Sequence, residues 1–560
     1  MGHSRWNILP PMANQRLFET AGFSPLVAQV LCNRGLTDPS RLELFIAADS
    51  RLSGNPFLIP GMHEAIARIY RALLSGESIA VYGDFDTDGI TSTALLVQGL
   101  SILNCKATPY IPHRLTEGYG LNNAALEHLY RQGISLVITV DCGITGVREV
   151  KKARRMGLDV IITDHHTPLD ILPPAVAVVN PKLEGSDYPF PELAGVGVAL
   201  KLLQALFQSV GKEQQLEQLA DLVALGTVAD MASLQGENRY LVKQGLKLMN
   251  SSPRLGLREI IAQAGLNSTR LDSESISWVI APRLNAAGRL EHAMSSYQLL
   301  TTDSPEEARE LATWLEQKNA ERQRLTTTAV SKAREQVTAQ GILPLLITGD
   351  REYPAGICGL VAGRLAEEFY RPAIVVRVGD LFSSGSCRSI PEFNIIAALN
   401  RCRHLFTHFG GHAQAAGFSL LTRNLPRLEE TLLELATIQL EGYDLRPRLD
   451  IDAEARLPEL GGNTFPMIQK LAPFGQDNPA PTFLSRGVEV VGCYPMGNGS
   501  EHLKLKLKQG GTVWDGVGFR LGCYLAEASS PLDIVYNLEL DHWNGQQRLR
   551  LNILDFAAGK

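Results

Sequence analysis

The chain lacks the sequence features that mark three classes of protein. Its eight cysteines are scattered without a CxxC pair, which argues against a structural zinc site and against a disulfide framework. No apolar run approaches the ~20 residues that a membrane helix needs, and the N-terminal MGHSRWNILPP has no apolar signal segment. We therefore expect a cytoplasmic protein that has no membrane partner.

The chain also lacks a strong net charge. Its formal charge is -6 at pH 7, with 45% hydrophobic and 20% charged residues, as in an ordinary globular enzyme. This total neither indicates nor excludes nucleic-acid binding, because a local basic stripe decides that property. The 560 residues exceed what one hydrophobic core organises, so about three or four domains are expected.

Hydrophobic periodicity divides the chain into five segments. Strand and helix patterns alternate up to about residue 245, which is typical of βαβ units around a parallel sheet. Residues Pro305–Gln340, preceded by a Ser304 cap signal, predict one long charged helix. Short strands between Gly-rich turns near the C-terminus favour a small β-barrel. The predicted segments are an N-terminal helical extension (1–50), a parallel-sheet α/β domain (51–245), a helical connector (246–340), a second α/β domain (341–425), and a connecting helix with a β-barrel (426–560).

Acids and imidazoles follow three aliphatic runs in the first α/β domain. The runs 79–82, 136–140 and 160–163 are predicted as buried parallel strands, and open α/β sheets place their ligands at the carboxyl ends of such strands. A fourth turn of this kind is expected after the aliphatic run 225–229. The side chains at these four turns are Asp84, Asp86 and Asp88, then Asp141, then Asp164, His165 and His166, and finally Asp230. We expect them to converge at one edge of the sheet.

This residue set predicts a two-metal site. Carboxylates combined with imidazoles suit a transition-type divalent ion, so Mn²⁺ is the preferred cofactor, with Mg²⁺ as the alternative. Two ions about 3.5–4 Å apart can activate water and neutralise the charge that develops at phosphorus. The stretch GDFDTDG alone could be a calcium loop, but the twelfth position counted from Asp84 is Leu95 and not the required Glu. Any single Asp could instead be a helix N-cap, yet successive turns that all carry metal-type ligands favour the metal site.

These motifs, in this order, resemble the DHH phosphoesterase superfamily, which is named after the triplet at 164–166. Within it the chain resembles the family of RecJ-type single-stranded-DNA-specific exonucleases, through IPHR (111–114), EGYG (117–120), LAGVG (193–197) and PRLNAAGR (282–289). The second α/β domain resembles the DHH-associated domain through GSCRS (385–389) and FGGHAQAAG (409–417). The segment LAPFG (471–475), followed by Asn478 and Pro479, resembles the start of the OB-type barrel of that family.

The resemblance implies a 5′→3′ exonuclease that hydrolyses single-stranded DNA to mononucleotides in DNA repair and recombination. It implies metal ligands at Asp84, Asp86, Asp88, Asp141, His165 and Asp230, and leaves open which two of the first three bind directly. Of the catalytic set His166, Asp164, His165 and Asp141, His166 would polarise the scissile phosphate or donate a proton, and Asp164 would orient a neighbouring histidine. The implied contacts with phosphate and strand are Arg114, Arg283, Arg289, Ser386, Arg388 and His412. A single-strand binding protein and a helicase are candidate protein partners.

Three rival functions use related folds. A nanoRNA or cyclic-dinucleotide phosphodiesterase would lack the long C-terminal barrel. An inorganic pyrophosphatase expects a His shortly before the first motif acid, where this chain has Ala80 and Tyr82. A catalytically inactive DHH scaffold would have lost motif acids, whereas every expected acid and His is present here.

Overall fold

The computed structural model describes residues 3–11, 22–114, 116–543 and 546–559. They form two compact units. One consists of 48–443 with 475–478, and the other combines the described residues up to 47 with 444–474 and 479–560. None of the helices in the described part of the chain combines the length and the apolar character that a membrane span requires. All eight cysteines are unpaired.

Four sheets and seventeen α-helices make up the described residues. The strands are β1 (Arg5–Ile8), β2 (Ile79–Tyr82), β3 (Ala107–Tyr110), β4 (Leu136–Val140), β5 (Asp159–Thr163), β6 (Ala177–Val179), β7 (Leu346–Asp350), β8 (Ala373–Arg377), β9 (Phe382–Arg388), β10 (Phe406–Gly411), β11 (Ala415–Leu421), β12 (Arg448–Ile451), β13 (Ala453–Glu454), β14 (Phe483–Met496), β15 (His502–Gln509), β16 (Thr512–Gly518), β17 (Leu532–Trp543) and β18 (Gln546–Ala558). The α-helices are α1 (Pro25–Asn33), α2 (Pro39–Ala47), α3 (Met62–Ser75), α4 (Thr87–Ile102), α5 (Asn123–Arg131), α6 (Val147–Met156), α7 (Gly195–Gln208), α8 (Ala220–Ala229), α9 (Gly236–Ser251), α10 (Leu255–Gln263), α11 (Ala281–Leu290), α12 (Met294–Thr301), α13 (Pro305–Gln340), α14 (Cys358–Phe369), α15 (Ile395–Arg401), α16 (Leu425–Gln439) and α17 (Thr464–Gln469).

The first α/β domain is built on a five-stranded parallel sheet. Its strand order is β3-β2-β4-β5-β6, with every neighbouring pair parallel. Every residue of β2 and β4 is buried, as expected when both faces of a parallel sheet are covered. The three predicted strands are confirmed. The edge strand β3 was not predicted, because Pro109 breaks its pattern and proline is tolerated in a sheet chiefly at an edge.

The aliphatic run 225–229 is helical, so the prediction of a fourth strand-to-helix turn was wrong. These residues belong to α8, and Asp230 follows at the C-terminal end of that helix. All residues from 221 to 228 are buried. A short apolar run that is buried on every side shows no period, so a strand and a core helix cannot be distinguished in it.

The predicted long charged helix is confirmed as α13, with 36 residues. The side chain of Ser304 accepts a hydrogen bond from the backbone N–H of Glu307, and Pro305 occupies the first turn. One end of α13 contributes Ala308, Ala312 and Leu315 to the core of the first domain, and the other contributes Ala329, Ala333 and Val337 to the core of the second. A single helix therefore belongs to both cores.

The second α/β domain contains a mixed sheet of order β10-β11-β9-β8-β7. Strands β7 and β8 are parallel and the remaining pairs are antiparallel. Helix α14 packs Val361 and Leu365 against Val375 of β8. This places the strand β9, with Ser386 and Arg388, beside the start of α14.

The other compact unit contains the C-terminal barrel. Its strand order is β14-β15-β16-β18-β17, and the pairing of β14 with β17 closes it. In β15, Leu503 and Leu505 are buried while Lys504 and Lys506 are exposed, so the leucines face the core. The N-terminal segment belongs to this unit and contains a strand besides its helices, because β1 pairs in parallel with β12.

Candidate metal centre

Close backbone packing shapes the first acidic turn. A Cβ at Gly89 would lie 2.5 Å from the backbone N of Asp84, so only glycine fits there. The side chain of Asp86 caps α4 by accepting a hydrogen bond from the N–H of Gly89 at 3.1 Å. Asp84 and Asp88 are buried. The turn thus directs its carboxylates into the protein.

The second turn holds Asp141 in a strained conformation. Its φ is 60°, which costs a non-glycine residue about 1–3 kcal/mol and is characteristic of functional sites. A Cβ at Gly195 would lie 2.6 Å from the Asp141 Cβ, so this glycine allows the start of α7 to approach. Asp88 accepts hydrogen bonds from the N–H groups of Gly195 at 2.7 Å and Val196 at 2.9 Å. A helix N-terminus favours such a negative charge.

The six predicted metal ligands converge in one cluster, with His165 among them. Its Nε2 lies 3.1 Å from Asp141 Oδ1 and 4.0 Å from Asp88 Oδ2, and its Nδ1 lies 3.8 Å from Asp230 Oδ2. The possible ligand atoms form three overlapping sets, each with its atoms within 4.8 Å of one another. One set is Asp88, His165 and Asp230, another is Asp84, Asp86 and Asp141, and the third is Asp141, His165 and His166.

Three atoms at the centre of this group are buried without a hydrogen-bond partner: Asp84 Oδ1, Asp141 Oδ1 and His165 Nε2. The last two approach within 3.1 Å but not in hydrogen-bond geometry. Buried polar atoms left without partners cost free energy, which a cation lying between them would recover. The donors therefore fit divalent metal ions.

The acids of this group also disfavour one another's ionisation. Burial, and then the charge of neighbouring acids, raises the pKa of Asp84, of Asp141 and of Asp230. The same causes raise the pKa of Asp88 to about 7. Burial, and then the charge of His166, lowers the pKa of His165 to about 3. A divalent cation would stabilise the ionised carboxylates and the neutral imidazole that this site needs.

His166 and Asp164 form a hydrogen-bonded pair beside the metal-type ligands. The His166 Nδ1 donates to Asp164 Oδ1 at 2.7 Å, and the N–H of Ile144 donates to Asp164 Oδ2 at 2.9 Å. Burial opposes ionisation of Asp164, yet the hydrogen bond and charge of His166 hold its pKa below the usual value. Burial likewise opposes protonation of His166, but its bond to Asp164 raises the pKa of the imidazole to about 9.

Two further aromatic side chains lie against His166. The Tyr119 hydroxyl is 3.3 Å from the His166 Nδ1, and the ring of His412 is nearly parallel to that of His166, with 6.1 Å between their centroids. Tyr119 was not predicted as a site residue, although it lies in the EGYG motif between two glycines of positive φ. The predicted His412 brings the second α/β domain to the metal centre.

Arginines crowd together next to the acids. The Arg114 guanidinium lies 4.7 Å from the centre of the Phe85 ring. Burial, and then the charges of Arg114, Arg322 and Arg388, lowers the pKa of Arg289 to about 9. The Nε of Arg289 is buried without a hydrogen-bond partner. A group of guanidiniums packed this closely is suited to bind an anion such as a phosphate.

Two further arginines are associated with helix α13. Arg283, for which contact with the DNA strand stays a prediction, donates from its Nε to Glu316 on α13 and from its Nη1 to the Val279 carbonyl at 2.8 Å. Arg322, also on α13, was missed, and its buried Nε has no hydrogen-bond partner. A charged helix normally has a solvated face, so nothing in its spacing distinguished Arg322 from its neighbours.

Models of three domain families match the chain. The DHH family N-terminal domain matches residues 78–227, the DHHA1 domain matches 335–437, and the RecJ OB domain matches 451–555. The single-stranded-DNA-specific exonuclease RecJ of Bacillus subtilis (strain 168) is 37% identical over 564 residues, which cover 99% of this chain and 71% of that protein. This chain belongs to the RecJ exonuclease family. The family expected from the motifs is thereby confirmed.

Solved structures of this family share the fold. A crystal structure of RecJ with Mn²⁺ from Thermus thermophilus is 32% identical, with a TM-score of 0.86, and covers 99% of this chain and 80% of that one. A structure with Mg²⁺ from the same organism is 30% identical, with a TM-score of 0.80, and covers 99% of this chain and 79% of that one. The predicted fold class is confirmed: a parallel-sheet domain, a long helix, a second α/β domain and an OB barrel.

Proposed function

We propose that this chain is a 5′→3′ exonuclease that hydrolyses single-stranded DNA to 5′-mononucleotides in DNA repair and recombination. The observation that carries this proposal is the juxtaposition of overlapping sets of metal-type ligands with a group of buried arginines. An exonuclease needs both, because it cuts a phosphodiester bond at a defined distance from a terminal phosphate. The relatives named as single-stranded-DNA-specific exonucleases support the choice of substrate.

Of the three ligand sets we assign a metal ion to two, one to Asp84, Asp86 and Asp141 and one to Asp88, His165 and Asp230, while His166 is assigned to the phosphate. Mn²⁺ is the preferred ion and Mg²⁺ the alternative, since related structures contain either metal. When bound, the two ions would activate water and neutralise the charge that develops on the phosphate. In this assignment the first acidic turn contributes to both sites, and all three of its acids bind a metal, whereas the resemblance implied two.

The remaining side chains would hold the substrate and move a proton. Arg114, Ser386 and Arg388 would bind the terminal 5′-phosphate, because buried guanidiniums form strong charge-assisted hydrogen bonds with phosphate oxygens. Arg283 and Arg289 would contact the strand near the cut. His166 would polarise the scissile phosphate or protonate the leaving oxygen, with its orientation set by Asp164. His412 would approach the same phosphate from the second domain.

The domain boundaries, location and protein partners are also part of the proposal. We keep the division at residues 1–50, 51–245, 246–340, 341–425 and 426–560, which the matched ranges 78–227, 335–437 and 451–555 support. The unpaired cysteines support a cytoplasmic location. A single-strand binding protein and a helicase remain candidate partners.

The proposed polarity and strand specificity can be tested with labelled oligonucleotides. Single-stranded and double-stranded substrates labelled at the 5′ or 3′ end would be incubated with Mn²⁺ or Mg²⁺. We expect the 5′ label to appear first, as a mononucleotide, and only from single strands. Early release of the 3′ label, or equal cleavage of duplex, would reject the proposal.

Arg388→Ala should weaken recognition of the terminal phosphate. We expect kcat/KM on a 5′-phosphorylated strand to fall about 10–100-fold, because a charged hydrogen bond to a buried phosphate contributes roughly 1.5–3 kcal/mol. The kcat/KM on a strand with a 5′-hydroxyl should fall much less, so the preference for the 5′-phosphorylated strand should shrink. Arg423→Ala, at an exposed arginine of the same domain, is the matched control. An equal loss on both strands would assign Arg388 a structural role.

A further inference from the structure

The second α/β domain contains a cavity that the proposed exonuclease chemistry does not use. Its volume is about 540 Å³, within the range of small-ligand sites. It opens where β8 turns into β9 and extends over β11. The lining side chains that could bind a ligand are Arg351, Arg377, Phe382, Ser384 and Ser419.

Strand register places this cavity on the sheet face that also carries the predicted phosphate contacts. Ser384 pairs with Arg377 on one side and with Ser419 on the other, and residues directly opposite share a face. Ser386 and Arg388 follow on the same face of β9 because side chains alternate along a strand. Arg388 lies four positions beyond Ser384, which is about 14 Å along the strand. The cavity is therefore distinct from the arginine group at the metal centre.

The polar groups that line the cavity are available to a ligand. In the described part of the chain, the Arg377 guanidinium and the hydroxyls of Ser384 and Ser419 have no hydrogen-bond partner. Arg351 pairs with Asp380 at 3.0 Å, and both side chains are largely exposed. Two arginines and one acid leave an excess of positive charge, which suits a phosphate monoester.

An aromatic ring lines the cavity together with these polar groups. Phe382 lines the cavity and is 54% exposed, which is unusual for a phenylalanine with a sheet to pack against. It lies on the same face as Ser384, two residues away along β9. An exposed ring beside a guanidinium and hydroxyls is the combination that binds a nucleotide, with the base stacked on the ring and the phosphate on the cation.

The loop between β8 and β9, residues 378–381, forms the rim of the cavity and is held by hydrogen bonds without a ligand. The N–H of Gly379 donates to Ser383 Oγ at 3.3 Å, and the Thr422 hydroxyl donates to the Gly379 carbonyl at 2.8 Å. A Cβ at Gly379 would lie 2.1 Å from the Phe382 carbonyl, so the tight turn requires glycine. A preformed rim lowers the ordering cost of binding.

We propose that this cavity binds a nucleoside 5′-monophosphate, with its phosphate on Arg377, Ser384 and Ser419 and its base on Phe382. The volume accommodates one nucleotide and not a strand. The proposal concerns binding alone, so it holds whether or not the chain is an exonuclease. If the chain releases mononucleotides, its own product is a ligand of this site.

The test measures binding of 5′-dAMP to the full chain by calorimetry, with EDTA present and Arg388→Ala as the background in which the other phosphate pocket is weakened. We expect the Arg388→Ala chain to bind 5′-dAMP at one site. The double variant Arg388→Ala, Arg377→Glu should bind 5′-dAMP at least tenfold more weakly than Arg388→Ala alone. Adding Phe382→Ala should weaken 5′-dAMP binding but leave the binding of inorganic phosphate unchanged. Arg423→Glu, at an exposed arginine of the same domain, should change neither.

Two results would overturn the proposal. The first is absence of 5′-dAMP binding in Arg388→Ala, which would leave the arginine group near the metal centre as the sole phosphate site. The second is unchanged affinity after Arg377→Glu in a variant whose melting temperature matches that of the background. If Arg377→Glu lowers the melting temperature, Arg377→Ala provides the same comparison with less added charge.

Discussion

Asp141→Asn is expected to lower the rate of single-strand cleavage by about a thousandfold or more, because a lost metal ligand removes several kcal/mol and each 1.36 kcal/mol is tenfold in rate. The amide keeps the shape of the carboxylate but loses its charge. The Asp141 Oδ1 is buried without a hydrogen-bond partner at the point where the two assigned ligand sets meet. Mn²⁺ affinity, measured by calorimetry, should fall together with the rate.

The same substitution should leave the fold intact or stabilise it. Neighbouring acids crowd Asp141, and in the metal-free protein this repulsion is uncompensated. We therefore expect the melting temperature of Asp141→Asn in EDTA to equal or exceed that of the unsubstituted protein. Asp170→Asn, at an exposed acid, should alter neither rate nor metal affinity. Cleavage by Asp141→Asn within tenfold of the original rate would contradict the assignment.

His166→Ala is expected to slow cleavage by about 10²–10⁴-fold, the range typical of a lost proton-transfer group. The measurement is a single-turnover rate with saturating 5′-phosphorylated strand and Mn²⁺. Asp164→Asn should lower the same rate by about 10–100-fold, because Asp164 acts by orienting the imidazole. Unlike Asp141→Asn, both variants should retain Mn²⁺ affinity, since neither side chain belongs to the two assigned ligand sets.

Measuring metal affinity distinguishes two roles for His166, proton transfer and metal binding. If His166→Ala weakens Mn²⁺ binding as much as Asp141→Asn does, His166 is a ligand and the proton-transfer role is rejected. His128→Ala provides the matched control at an exposed histidine of α5. It should change neither the rate nor the affinity.

The metal centre was largely predictable because its ligands follow strands that are buried on both faces. Such strands are continuous aliphatic runs, so β2, β4 and β5 could be located from sequence, and parallel strands bring their carboxyl ends together. Asp84, Asp141 and His165 meet for that reason. Their position depends on local sequence and on one rule of topology.

Other features depended on long-range packing that sequence spacing does not encode. The run before Asp230 is a core helix, yet the acid still reaches His165 because α8 packs beside α4. The ion pair of Arg283 with Glu316 and the burial of Arg322 both require α11 to pack along α13. Strand β1 forms by pairing with β12, which lies more than 400 residues later in the chain, so the local sequence does not predict it.

Helix α13 constrains how this family can change in length. Each inserted residue would advance one domain by about 1.5 Å and rotate it by about 100° relative to the other, since both cores share the same rigid helix. A single insertion in mid-helix would carry His412 away from His166. Substitution of exposed residues of α13 should therefore disturb the two cores less than a change in the number of residues between them, and a chimaera of two relatives should be joined only where that number is preserved.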